Sequence, residues 1–363
     1  MNTPRTIIVT GSAGLIGSET VKRFAKEGAR VAILDGGIRD THIDIAPNLD
    51  ATHSISFVPN AAFNSDSAKP PNGKCGDAID TFWHGTHVAG IVAAAANNLG
   101  TVGIAPKATI IGVKVLHCGS GNFGAIISGI VYAATPIAEG GAGANVINMS
   151  LGVPGGIPKN ARVQSLLNAV SRATSYAKKR DVVVVAAAGN DGIDIDHTDN
   201  LTFIPAQSVD VISVAATAPS GWATSSPLEG VDSPATYTNF GQSAISFAAP
   251  GGDTKLLATN PGGVCVKPRF PAGSVIQLCW VLDMVMAPCR GSGASNGTYC
   301  WAAGTSMAAP AVSGVAALII GKYGPIGASQ VEAILRQSAD DLGKPGQDDF
   351  YGKGRVNAFR AVQ

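Results

Sequence analysis

Arg30-Val31-Ala32-Ile33-Leu34-Asp35-Gly36-Gly37-Ile38 opens with a run that is apolar at every position from Val31 to Leu34. A strand with one solvated face alternates apolar and polar residues, so an uninterrupted run reads as a strand buried on both faces, the habit of parallel sheets covered by helices. Its last residue, Asp35, is a carboxylate followed at once by two glycines. The carboxyl ends of parallel strands are where such sheets place their functional groups. Alone, an Asp there could equally be a turn residue.

Outward from this strand, the same alternation of Val/Ile/Ala runs and longer helical segments continues. Strands are expected at Thr6–Thr10, Arg30–Leu34, Thr109–Val115, Val146–Met149, Val182–Ala187 and Val211–Ala215. Helices are expected at Leu15–Lys26, His84–Asn97, Gly124–Ala134, Val163–Lys179, Thr305–Lys322 and Ala328–Gln337. The pattern is α/β, three-layered, with a mostly parallel central sheet and helices on both faces. Two stretches break it, Ser54–Asp80 and Asp253–Cys300, both rich in turn residues and read as surface insertions.

The 363 residues are 45% hydrophobic and 14% charged, enough apolar material for a sizeable core. The formal net charge is +1 and the basic residues form no long run, which argues against a nucleic-acid or anionic-membrane partner. No uninterrupted apolar stretch reaches membrane-spanning length, and a monomer is expected. The six cysteines, Cys75, Cys118, Cys265, Cys279, Cys289 and Cys300, fit no zinc spacing. Their even number and crowding after residue 265 favour disulfides and an oxidising compartment, with pairing undetermined among fifteen arrangements.

Two further strings supply the groups that a strand-end carboxylate could serve. Gly304-Thr305-Ser306-Met307-Ala308-Ala309-Pro310 leads into the apolar run Ala311–Ile320. A serine at the first turn of a helix sits among unpaired N–H groups that can stabilise a developing oxyanion. Trp83-His84-Gly85-Thr86-His87-Val88-Ala89-Gly90 offers His84 as a base for that serine, with Asp35 to fix its tautomer. His84 and His87 are spaced as a metal pair could be, but no third ligand accompanies them, and His87 is read as a structural residue.

Together the Asp35, His84 and Ser306 strings resemble the three catalytic motifs of the subtilisin-like serine peptidases, in that family's Asp, His, Ser order. The resemblance runs from about Gly28 to the C-terminus. It implies a serine endopeptidase acting on polypeptides through an acyl-enzyme, and a secreted protein. Ala186-Ala187-Ala188-Gly189-Asn190-Asp191-Gly192 resembles the segment carrying the family's oxyanion-hole amide, which falls on Asn190. Ser150-Leu151-Gly152 resembles the edge that pairs with an extended substrate, and Gly119 and Gly121 are expected on the facing edge. Asn97-Asn98-Leu99-Gly100-Thr101-Val102-Gly103 resembles the calcium loop. There Asp44 and Asn97, with the carbonyls of Ala95, Leu99 and Thr101, would hold a structural calcium. The family's inhibitory pro-segment is not visible, as in a mature form.

Residues 1–27 depart from this pattern. Ile7-Ile8-Val9-Thr10-Gly11-Ser12-Ala13-Gly14-Leu15-Ile16-Gly17 reads strand, glycine turn, helix, and resembles the nucleotide-binding start of sugar-nucleotide epimerases and short-chain dehydrogenases. That family's Tyr-x-x-x-Lys pair is missing; the nearest match is Tyr176 with Arg180. An NAD site is therefore not expected. The chain divides into an atypical segment 1–27 and a catalytic domain 28–363. The rival readings are an NAD-binding oxidoreductase or epimerase, and a peptide-binding homologue with a misaligned, silent triad.

Overall fold

Alternate residues of the first described strand, β1 (Arg30–Asp35), serve two different cores. Val31 and Ile33 join a cluster with α1 (His84–Ala93), α4 (Thr305–Tyr323) and α5 (Ala328–Ser338). Ala32 and Leu34 join another with α2 (Phe123–Ala134) and α3 (Ala161–Lys179). A period of two along the strand thus becomes a helix layer on each face of a sheet. The computed structural model describes residues 28–65, 84–198, 200–221, 224, 231–268, 274–289 and 297–363. The expected strand and helix of residues 1–27 lie outside these residues.

The remaining strands of the central sheet are β2 (Ile55–Ser56), β3 (Thr109–Lys114), β4 (Val146–Met149), β5 (Val183–Ala187), β6 (Ile212–Ala218), β7 (Ser233–Pro234) and β8 (Phe247–Pro250). The eight strands run in the order β7-β6-β5-β4-β1-β3-β2, with β8 also paired to β6. Every pairing is parallel except β6 with β7. From β1 the chain builds first toward β3 and then returns past β1 to β4. The gap between β1 and β4 is therefore the point where strand order reverses, and a crevice opens at their carboxyl ends.

Two expectations need correction. The segment Ser54–Asp80 does not begin as a surface insertion, because Ile55 and Ser56 add an edge strand in register with Val113 and Lys114. Helix α1 stops at Ala93 and does not reach Asn97. Ala95 N–H donates to Asp44 O (2.8 Å), while the carbonyls of Ile91 and Val92 accept from Ile104 and Ala105 (3.0 and 2.8 Å). These partners draw the chain out of the helix. The stretch Asp253–Cys300, read as a surface insertion, has secondary structure of its own. It contains the hairpins Val264–Pro268/Ser274–Leu278 and Val285–Cys289/Thr298–Ala302, closed by the disulfides Cys265–Cys279 and Cys289–Cys300. The first carries a small core of its own around Val281 and Leu282. The second packs on α1 through Pro288, whose ring lies 2.3 Å from where a Cβ on Gly90 would stand.

Candidate active site

Asp35 ends β1, and His84 begins α1. The two elements meet closely because Gly85 has no side chain: a Cβ there would lie 2.4 Å from Gly37 O and 3.0 Å from Asp35 Cβ. This approach puts His84 Nδ1 at 2.9 and 2.8 Å from the two carboxylate oxygens of Asp35. Asp35 Oδ1 also accepts from Gly36 N–H at 2.7 Å. A carboxylate so placed meets a protonated Nδ1, which makes Nε2 the nitrogen that carries the ring's lone pair. Asp35 is buried, whereas the His84 side chain keeps 32% of its surface exposed.

Ser306 stands in the first turn of α4 and is half-buried. Its Oγ donates to Ser150 O (3.4 Å), and Ser150 Oγ donates back to Ser306 O (2.8 Å). Behind this pair runs a buried chain of hydrogen bonds. Asn148 Nδ2 donates to Ser150 Oγ (3.0 Å), and Ser313 Oγ donates to Asn148 Oδ1 (2.9 Å). The serine-bearing helix is thereby fastened to β4.

Asn190 comes from the turn after β5. Its Oδ1 accepts from both Thr305 N–H and Thr305 Oγ1 at 2.8 Å. With the oxygen spent, the amide's NH₂ is the end left to face a ligand. Asn239, buried, holds the same turn by accepting from Asp191 N–H and Ile193 N–H (3.0 Å each) and donating to Ala188 O. Asp191 in turn accepts from Gly155 N–H (2.8 Å), tying the turn to the segment after β4.

Asp35, His84, Ser306 and Asn190 line one groove of about 590 Å³. Ser150, Leu151, Gly152, Gly119, Ser120 and Gly121 line it too. Among the described residues, the backbone groups of Leu151 and Gly152 make no hydrogen bond. Such an edge can take an extended peptide as an added strand. A serine, a histidine base and an orienting carboxylate beside two N–H donors are the parts that acyl transfer requires.

The sequence profile of the subtilase family matches residues 26–354. The chain belongs to the subtilase family. Among this subtilase's relatives, subtilisin DY of Bacillus licheniformis is 34% identical over 352 residues, 96% of this chain and 97% of that protein. Thermitase of Thermoactinomyces vulgaris is 32% identical, covering 93% of this chain and 89% of its own length. The fold is also that of a crystallised lanthipeptide protease (27% identity, TM-score 0.68, covering 92% of this chain and 86% of that one). A protease from Pseudoalteromonas arctica is similar at 29% identity and TM-score 0.69, covering 96% of this chain and 94% of its own. The subtilase is a serine endopeptidase with polypeptide substrates. The rival oxidoreductase reading finds no support in these relatives, and the glycine turn that prompted it lies outside the described residues.

The calcium residues do come together, but not as an oxygen cage. Asn97 turns its amide nitrogen toward Asp44 Oδ1 (3.0 Å) and Ile43 O (3.1 Å), and its Oδ1 accepts from Leu99 N–H (2.9 Å). Three contacts agree on that orientation, so the amide oxygen is unavailable to a cation beside Asp44. Ala95 O already accepts from Asn97 N–H (3.0 Å), and Thr101 approaches Asp44 with its N–H (3.1 Å). Among the described residues no cluster of three His, Cys, Asp or Glu side chains could hold a metal. The side chains of Asp44 and Asn97 are therefore not arranged to hold calcium between them.

Several supporting groups escaped the sequence reading. Lys114 is fully buried at the end of β3 and donates to Gly36 O and Leu116 O; a lone charge closing the apolar run Thr109–Lys114 was the available signal. Asn148 sits likewise as a lone amide in Val146–Met149. Asn239 gave no comparable signal, since its partners are set by chain segments about 50 residues away.

Proposed function

We propose that Ser306 is the nucleophile of this peptidase, His84 its general base and acid, Asp35 the residue that orients His84, and Asn190 an oxyanion donor. The observation carrying this reading is the double contact of His84 Nδ1 with the Asp35 carboxylate at 2.8 and 2.9 Å, in the same groove as Ser306. With Nδ1–H held by Asp35, Nε2 takes the Ser306 hydroxyl proton as Oγ attacks the scissile carbonyl. The oxyanion of the tetrahedral intermediate is met by Asn190 Nδ2 and by the Ser306 N–H at the helix start. His84 then protonates the leaving amine, and a water activated by the same nitrogen hydrolyses the acyl-enzyme.

Ser150–Gly152 and Gly119–Gly121 would bind the substrate backbone between them as a third strand. The proposed steps call on no metal or nicotinamide. We further infer a monomer working outside the cell, in keeping with the two disulfides among the described residues and a formal charge of +1 that favours neither nucleic acid nor membrane.

The test is peptide mapping by mass spectrometry after incubation with a fluorophosphonate probe, with Ser306→Ala as control. A single adduct on Ser306, absent from the control, is expected. A folded chain that takes up no probe, or takes it elsewhere, would remove Ser306 from the nucleophile's role.

A further inference from the structure

Asp44 is a fully buried carboxylate, and a buried carboxylate has to be matched by hydrogen bonds, a counter-charge or a metal. Here three neutral donors surround it: Asn97 Nδ2 on Oδ1 (3.0 Å), and Thr101 N–H (3.1 Å) and the Tyr299 hydroxyl (2.8 Å) on Oδ2. Tyr299 belongs to the strand Thr298–Ala302 of the hairpin closed by Cys289–Cys300. Its ring is pressed against the loop backbone. A Cβ on Gly100 would lie 1.7 Å from the phenol oxygen and 2.0 Å from Cζ, and Gly100 itself is left-handed at φ +41°.

The ring has a second neighbour. His42 meets it edge-on, with centroids 5.3 Å apart. The His42 imidazole accepts from Asp44 N–H at Nδ1 (3.1 Å) and contacts Thr298 O through Nε2 (2.8 Å). Among the described side-chain oxygens nearby, the buried Thr101 Oγ1 is left without a partner. A calcium ion takes six to eight oxygens at roughly 2.3–2.6 Å, whereas here both carboxylate oxygens of Asp44 already face N–H and O–H donors.

We propose that the Tyr299 hydroxyl does in this chain what a structural cation would do. It occupies the space facing Asp44, pins loop 97–103 to the stapled hairpin, and leaves no calcium site there. The inference does not depend on the roles assigned to Ser306, His84, Asp35 or Asn190.

It is tested by thermal unfolding of the full chain carrying Ser306→Ala, which prevents self-digestion, in EDTA and in millimolar calcium. The expected result is no calcium response, or one of equal size in an Asp44→Asn derivative, which would put the cation elsewhere. Tyr299→Phe, which keeps the ring and removes only the donor, should lower the midpoint by about 2–4 °C in EDTA. A calcium-dependent rise that Asp44→Asn abolishes overturns the proposal, as does a Tyr299→Phe midpoint equal to its parent's. Should Asp44→Asn fail to fold, terbium luminescence decides. Sensitised emission lost on Tyr299→Phe would place a cation against the phenol and overturn the proposal; emission that is absent or unchanged supports it.

Discussion

Lys114 stands opposite Asp35 in the parallel register of β1 and β3. Its buried ammonium donates to the carbonyl of Gly36, the residue that follows the carboxylate, and to Leu116 O at 2.9 Å. One lysine therefore clamps the turn that aims Asp35 and the start of the strand leading to the Gly119–Gly121 wall. Replacing it by Met keeps the length but strands the buried Gly36 carbonyl and the partly buried Leu116 carbonyl. A loss of about 2–4 kcal/mol in unfolding free energy is expected, with a fall in kcat larger than any change in KM. Urea unfolding and steady-state kinetics check this. A fully active, equally stable Lys114→Met would show the clamp to be dispensable.

In Asn190, Oδ1 anchors Thr305 while Nδ2 is the end proposed to meet the oxyanion. Asn190→Ala should lower kcat by about 100- to 1000-fold with KM little changed, the magnitude known for the corresponding amide in subtilisin itself. Part of any stability loss comes from the orphaned Thr305 N–H. Kinetics on a short peptide amide substrate test the first claim. A drop expressed wholly in KM would assign Asn190 to substrate binding.

Gly85 predicts a steric failure at a position that touches no substrate. A methyl group there meets Gly37 O at 2.4 Å, a backbone atom that cannot swing aside. Gly85→Ala should push α1 away from β1, stretch the His84–Asp35 contact, and reduce kcat at least tenfold, with a stability cost of about 1–3 kcal/mol. Unchanged kcat in this variant would mean that the two elements can part without consequence.

His87 gives the fold an acid limit. Burial, with the nearby His84 adding to it, pushes its imidazole from 6.5 down to about 3. In the unfolded chain it takes a proton below about 6.5, while the folded chain stays neutral until about 3. Across that window the unfolded state binds more protons, so stability is complete above about 6.5 and declines as the pH falls. The slope from this group is up to about 1.4 kcal/mol per pH unit. Urea midpoints of the Ser306→Ala chain between pH 7 and pH 4 should fall more steeply than those of a His87→Gln derivative. Parallel slopes would clear His87 of the effect.

The parts of this architecture that the sequence made legible are those coded locally. The unbroken apolar run Val31–Leu34 announced a strand covered on both faces, and the start of α4 at Thr305 matched the reading. Asp35, His84 and Ser306 stood out because each sits among small residues that the close approach of backbone elements requires, Gly85 above all. The end of α1 was not legible, because it depends on Asp44 O capturing Ala95 N–H from another part of the chain. The same is true of Tyr299 and Asp44, which meet across 255 residues of sequence. A calcium loop could be read from Asn97 to Gly103; which end of the Asn97 amide would face Asp44 could not.

The chain of bonds from Ser313 through Asn148 and Ser150 to Ser306 has a consequence for how this enzyme can vary. Ser313 lies about two turns down α4 from Ser306, the proposed nucleophile, and is wholly enclosed. The seat of the reactive oxygen is thus part of the interior and not an ornament on its surface. Natural drift in the packing between α4 and β4 should register as altered turnover before it registers as altered preference among substrates. A population of such enzymes could therefore diverge in pace while continuing to cut the same bonds.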